Sequence, residues 1–391
     1  MNKTIEHSIT QLEKYIRNQQ FKGYDPYDAL NSKQINKLNN KILKIIITQL
    51  FVYLPINIRP FFQIKPDINP KSIGLLLSAY TKMYRNNLIE EKTFNTVTTQ
   101  LIKILEETKS EGYSGNCWGF NFNWQDPTRY APKYTPTIVI SSYIGHGLLD
   151  LYEINKEQKY LNIAENITQF ILNDLHITTL DEGICFSYTP LDNHIVHNAN
   201  CLGAALLARV YSITKDKALQ SYAKKSIDFT ISKQKKNGSW AYSIDKNTKK
   251  ERNQIDFHQG FIIDSICDFI KYIKPNEPIY KETLKKAAIF YNQNQFLKNG
   301  RAKWRLPYEY PADIHHQTQG IISFNKLYKL TGDKNYLTMA QKIAKWTIKN
   351  MQDDKGFYYY QKWPFIKNKI PYMRWGQAWM MLALSMMAGN E

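Results

Sequence analysis

The chain is short of the features that announce most functions. Its 391 residues include four cysteines, Cys117, Cys185, Cys201 and Cys267, which lie far apart and form no CxxC pair. That spacing argues against a disulfide framework and a zinc knuckle, and it fits a reducing compartment, so a cytoplasmic location is expected. No HExxH occurs, and the adjacent His315 and His316 point in different directions on a helix, so no metal and no other cofactor is expected. Neither a glycine-rich phosphate loop nor a nucleic-acid motif is present, which leaves nucleic acid out of the expected partners. The stretch "MNKTIEHSITQLEKYIRNQQ" lacks the apolar core of a secretory leader. The run "ILKIIITQLFVYLPI" (42–56) is interrupted by Lys44 and is shorter than the ~20 residues that span a bilayer. It reads as a buried helix in a soluble protein with no transmembrane segment, and peripheral membrane contact stays open.

Acidic residues are also scarce. Asp and Glu number 34 against 52 Lys and Arg, a net charge of +18 that suits an acidic partner. The basic residues are scattered, however, with short clusters such as "KNTKKER" (246–252), and an AT-rich genome produces the same lysine, asparagine and isoleucine bias. The charge is therefore either functional or compositional. Hydrophobic residues at 43% and aromatics at 14% mark a folding chain.

What is present is a repeat. Six apolar segments recur at roughly 60-residue spacing: "PKSIGLLLSAYTKMYRNN" (70–87), "TPTIVISSYIGHGLLDLYEIN" (135–155), "NANCLGAALLARVYSITKD" (198–216), "DFHQGFIIDSICDFIKYIK" (256–274), "DIHHQTQGIISFNKLYKLTGD" (313–333) and "RWGQAWMMLALSMMAGN" (374–390). Each opens on polar, small or capping residues and continues as a helix apolar on several sides, which indicates burial all round. Most are followed by a turn and a second helix with a one-sided apolar stripe, such as "YLTMAQKIAKWTIKNMQ". A Gly- and aromatic-rich loop then leads to the next unit.

Such alternation predicts an all-α (α/α)6 toroid, a six-hairpin barrel in one domain. The inner helices run parallel around an axis, and the long aromatic-rich loops gather on one face. An open solenoid needs polar outer faces on its terminal repeats, whereas the last segment stays apolar throughout, which favours closure. Residues 38–55 are expected to supply the sixth outer helix, and residues 1–37 an extra N-terminal cap helix and loop.

In a closed toroid the inner-helix N-termini, with their unpaired N–H groups and positive dipole ends, surround one cavity. There the sequence writes one phrase twice, "DFHQG" and "DIHHQTQG". Asp256 and Asp313 stand 57 residues apart, as do His258 and His315. Each Asp reads either as an N-cap or as a catalytic acid, and each His either as a satisfied core residue or as a site residue. Comparable positions in other repeats supply Trp118, Asn121, Trp124, His194, His197, Asn200, Trp240, Tyr242, Gln259, Trp304, Arg305, His316, Gln317, Tyr372, Arg374, Trp375 and Gln377. Aromatic faces with amides, Arg and His among them suit a sugar, although such aromatics also pack loops together.

With these residues the chain resembles the six-hairpin toroids of carbohydrate-active enzymes, among them glycosidases, uronate lyases, sugar 2-epimerases and the helical domain of glucuronyl C5-epimerases. "GYDPYDALNS", "CWGFNFNWQ", "NHIVHNANCLGA", "GSWAYS" and "RWGQAWM" also look like a bacterial group associated with surface-polysaccharide biosynthesis. The resemblance implies a saccharide substrate but no particular reaction, since fold does not fix chemistry.

Three chemistries remain open. Glycoside hydrolysis wants two carboxyl groups, here Asp256 and Asp313, with Asp25, Asp28 and Asp126 in reserve; no Glu opens an inner helix. Proton abstraction beside a carboxylate, in an epimerase or lyase, wants His or Tyr bases and a cationic clamp. His258, His315, His316, His197, Tyr242, Tyr372 and Arg374 supply that set, and the positive charge suits an acidic saccharide. A glycan-binding or scaffolding protein without catalysis is the third. A terpenoid-type cyclase finds only a weak echo in "QKKNGSWAY" and lacks a DxDD acid.

Overall fold

The computed structural model describes residues 3–126 and 130–389. The chain begins with α1 (Lys3–Asn18), the single turn α2 (Lys33–Asn36) and α3 (Lys41–Tyr53). Five helical hairpins follow: α4 (Pro70–Arg85) with α5 (Glu91–Glu107), α6 (Ile138–Asn155) with α7 (Gln158–Asn173), and α8 (His197–Thr214) with α9 (Lys217–Ser232). Next come α10 (His258–Ile273) with α11 (Ile279–Gln295), and α12 (Ile314–Thr331) with α13 (Lys334–Met351). A π-helical turn at Met373–Gln377 leads into α14 (Ala378–Met387). Each even-numbered helix from α4 onward packs on the next, and α14 returns to α4, so the ring is closed as the repeat predicts.

Local signals set these boundaries. Asn69 caps α4 by accepting from Lys71 N at 3.1 Å, with Pro70 in the first turn. Thr137 caps α6 in the same way. At the far end α6, α8, α10 and α12 stop on left-handed residues, Lys156, Lys215, Lys274 and Gly332, which turn the chain into the outer helix. The outer helices are one-sided. In α13, Ala340, Ile343, Ala344, Thr347 and Met351 are buried while Lys342, Lys345 and Lys349 face water.

The sixth outer position differs from the sequence expectation. It is held by α1, not by residues 38–55. α1 packs against α13 and α14, Ser8 Oγ lies 2.6 Å from Tyr358 Oη, and Tyr80 Oη donates to Glu13 at 3.0 Å. A glycine marks the equivalence. An added Cβ at Gly300 would meet the Lys342 backbone of α13 at 2.5 Å, and one at Gly356 would meet the Gln11 carbonyl oxygen of α1 at 2.4 Å. Both glycines have φ of about +92°, at +93° and +92°. The apolarity of residues 42–56 had suggested burial, yet α3 buries only Thr48, Phe51 and Val52. Ile42, Ile46 and Leu50 are more than half exposed, at 67%, 51% and 51%. Among the described residues no helix is long and apolar enough to cross a membrane.

The loops at the inner-helix N-termini carry short strands. β1 (Trp124–Gln125) pairs with β2 (Tyr130–Ala131), and β3 (Ile177–Leu180) with β4 (Gly183–Phe186). β5 (Ile195–Val196), β6 (Ser243–Ile244) and β7 (Glu251–Arg252) form one antiparallel sheet. β8 (Ala312–Asp313), β9 (Gln361–Lys362) and β10 (Lys367–Asn368) form another, in the order β10-β9-β8. In both, the strand that opens one inner helix pairs with the loop of the following repeat, so neighbouring openings are tied to one another.

Gly356→Ala places a methyl group against the α1 backbone at a left-handed φ. It is expected to destabilise the protein by about 2 kcal/mol or more and to make α1 the first site of proteolysis, as read by urea denaturation and limited digestion. Unchanged stability would mean that α1 does not close the ring.

Candidate active site

The polar openings of the inner helices surround a cavity of about 610 Å³. Asp256, His258, Asp313, His315, Tyr242, Arg374, Trp124, Trp304, Arg305 and Trp375 all line it, together with Lys71, Tyr27, Gln254, Phe257, Tyr360 and Gln361. Ile45, Thr48, Gln49, Val52 and Tyr53 of α3 form part of its wall. An adjoining pocket of about 590 Å³ shares Trp124, Tyr242 and Arg252 with it and reaches His194. Each of the two is in the size range of small-molecule sites.

Asp256 accepts from the His258 backbone N–H at 3.1 Å and from Gln254 Nε2 at 2.7 Å, and lies 2.5 Å from His258 Nδ1. Burial disfavours its charge, but the adjacent His258 outweighs that and holds the carboxyl at about 2. Asp313 caps α12 through the His315 N–H at 2.9 Å and accepts from Trp375 Nε1 at 3.1 Å and Gln361 Nε2 at 2.8 Å. Burial pushes it up to about 6. Asp313 is thus the N-cap of α12, whereas Asp256 stands one residue before the Phe257 cap of α10 and accepts from the first helical N–H; their surroundings split their acidities.

The two histidines are held differently. His258 has Nδ1 on Asp256, and its ring meets Tyr242 at 4.7 Å. His315 Nδ1 lies 3.1 Å from the Trp375 carbonyl oxygen. A carbonyl only accepts, so Nδ1 carries the proton and Nε2 carries the lone pair. Burial, with Lys71 nearby, holds His315 well below the usual histidine range. Its ring stacks on Trp375 at 4.4 Å. Phe257 lies against both imidazoles, at 4.2 Å from His258 and 4.7 Å from His315.

Other expected site residues serve the scaffold. Gln259 grips the Trp240 backbone, accepting from its N–H and donating to its carbonyl, each at 2.9 Å. Gln377 grips Tyr358 likewise, at 2.8 Å on both sides. Gln317 accepts from Ala302 N and donates to Thr347 Oγ1 at 2.8 Å, while Asn200 ties Phe186 N to Ser226 O at 3.0 Å each. Trp118 and Trp240 are core residues whose indoles donate to the Leu105 and Thr230 carbonyls. Asn121 joins Asn69 to Asp67. His197 stacks on Phe229, and His316 packs on Phe296; burial lowers both to about 4. Tyr372 is buried under the Arg59 guanidinium.

Arg374 lines the cavity, but Asp25 engages its Nε at 2.5 Å and its Nη2 at 2.7 Å. Asp28 is paired with Arg59 at 2.6 Å. These two reserve aspartates are buried in their arginine pairs and do not line the cavity, whereas the third, Asp126, does. Lys71 and Phe257 escaped the sequence reading, although a lysine in the first turn of an apolar inner helix is a signal in retrospect.

No family model matches the chain, and no curated protein matches it either. Solved structures do. Cellobiose 2-epimerase from Bacillus thermoamylovorans superposes with a TM-score of 0.64 at 14% identity, over 81% of this chain and 87% of that one. The α-mannanase of glycoside hydrolase family 76 from Bacteroides thetaiotaomicron gives 0.63 at 15% identity, over 81% and 85%. The Lin0763 protein of Listeria innocua gives 0.64 at 14% identity, over 98% and 97%. The shared feature is the (α/α)6 toroid.

Between about pH 4 and 6 the folded state holds a proton on Asp313 that the unfolded chain has released, so stability falls as pH rises through that window. Asp313→Asn removes this contribution, and the buried Gln361 Oε1, which has no partner, can turn to accept from the new amide. Relative to wild type the variant is expected to gain of order 2 kcal/mol from pH 4 to pH 7, measured by urea midpoints. Parallel profiles would show that Asp313 does not titrate there.

Proposed function

We propose that this protein is a carbohydrate-active enzyme that binds an acidic sugar or glycan in the central cavity and moves a proton at a carbon beside a carbonyl or carboxylate. Uronate epimerases and lyases carry out reactions of that kind. The observation that carries this reading is the unequal pair of imidazoles around Phe257. His315 is neutral, with its Nδ1–H committed to Trp375, and offers an Nε2 lone pair as base. His258 has its Nδ1 on the Asp256 carboxylate, which orients the ring, and it takes the proton-donor role.

In the proposed step His315 Nε2 takes the proton, and the carbon's electron pair moves onto the adjoining oxygen. His258 then returns a proton to the opposite face of the carbon, or to the departing oxygen if a β-substituent leaves. Arg305 and Arg252 on the cavity wall favour the anionic intermediate. An epimerase and a mannanase of the same fold support a carbohydrate substrate. The motif likeness supports a place in bacterial surface-polysaccharide metabolism, and four buried free thiols suit the cytoplasm.

Hydrolysis is the second reading, favoured by the separation of Asp313, at about 6, from Asp256, at about 2. It is weakened because both Asp313 oxygens are already bonded.

Incubation with candidate uronates in D2O tests the choice. Deuterium is expected at the carbon beside the carboxylate. His258→Ala should lose that exchange by about 10²-fold or more with little change in melting temperature, and Asp313→Asn should keep it. Glycosidic cleavage without exchange, abolished in Asp313→Asn, would establish the hydrolase. Binding without either would establish a glycan-binding protein. A large loss of folded protein in His258→Ala would make that histidine structural.

A further inference from the structure

Five cations are buried among the described residues: Arg59, Lys71, Arg209, Arg301 and Arg374. Four hold a carboxylate: Arg59 that of Asp28, Arg209 those of Asp150 and Glu153, Arg301 that of Glu309, and Arg374 that of Asp25. Lys71 holds none. It is 5% exposed and lines the central cavity.

Its position makes the missing partner costly. Lys71 stands in the first turn of α4, at the positive end of the helix dipole, where a cation is disfavoured. Its Nζ sits over Tyr143 at 4.7 Å, Trp379 at 5.1 Å and Phe261 at 5.7 Å. Tyr143 and Trp379 also line a second cavity, of about 420 Å³, at the far end of the toroid, so Lys71 lies on the partition between the two. The charged and titratable groups acting on it are Arg374, a second cation; Asp25, whose oxygens Arg374 has taken; and His315, held neutral. Burial, then Arg374, holds its amine well below the ordinary lysine range. A buried amine at a helix N-terminus with no anion beside it is expensive in the empty protein, and a ligand anion removes that expense.

We propose that Lys71 is the receptor for the substrate's anionic group, with a sugar carboxylate docking on its Nζ above the Tyr143–Phe261–Trp379 cage and beside His315. This rests on the carbohydrate reading given above. Docking restores the lysine's charge, so the complex takes up a proton from solvent. It also sets the carbon next to the carboxylate near the His315 base.

Titration calorimetry with D-glucuronate, its neutral isostere D-glucuronamide, and D-glucose, in two buffers of different protonation heat, tests this on the full chain. Wild type is expected to bind glucuronate about ten-fold or more tighter than glucuronamide and to take up a proton only with the acid. Lys71→Met should lose both the preference and the uptake, retain glucose binding, and melt at a higher temperature because the unpaired amine is gone. Lys71→Arg, ionised at any working pH, should keep the preference without proton uptake; uptake retained there would assign the proton elsewhere and overturn the proposal. Equal binding of all three sugars by wild type, without uptake, would overturn the role of Lys71 and leave the carbohydrate reading intact. Binding of none of them would overturn both.

Discussion

The return of α14 to α4 is the contact on which the rest depends. Parallel inner helices closed into a ring bring all their N-termini to one end, so unpaired backbone donors and positive dipole ends are concentrated around one axis. The chain must satisfy that end with acceptors. Asp313, Asp256, Asn69 and Thr137 do so, and they are polar for this reason before any chemistry is considered. A cavity walled by such residues and by the aromatic loops between them can bind a polar ligand, and the reaction is decided by the few side chains left over once the helices are capped.

The duplicated phrase separates those tasks residue by residue. Its aspartate accepts the backbone N–H of the histidine two residues on, that first histidine faces the cavity, and its glutamine grips the backbone of the incoming loop. In α10 that glutamine is Gln259 on Trp240; in α12 it is Gln317 on Ala302. The same grip recurs with Gln377 and Asn200 in other repeats. Repetition in a toroid is therefore chiefly a sign of shared construction. The site is found where the repeat is broken: a backbone carbonyl fixing one histidine's tautomer, a carboxylate behind the other, a lysine where a cap or a small residue would be expected.

This explains what was legible. Inner and outer helices follow from apolar periodicity, because burial all round and burial on one side leave different patterns along the chain. The position of α1 does not, since one-sided stripes such as that of α1 fit any outer slot, and its packing on α13 and α14, with Gly356 against Gln11, identifies which. α3 misled because its apolar content is high while its neighbours cover only one side. Among the aromatics and amides, Trp124, Trp304 and Trp375 face the cavity while Trp118 and Trp240 are core, a difference set by loop direction and invisible in composition.

Placing α1 in the sixth outer slot has a consequence for assembly on the ribosome. Residues 3–18 are synthesised well before the surface that α13 and α14 offer them, which follows more than 300 residues later. Until then Ile5, Ile9, Leu12 and Ile16 lack the surface of α13 and α14, and the nascent chain carries an open apolar stripe. Of the toroid's helices the first made is the last to be fully seated, so the ring locks only when α13 and α14 have also been translated.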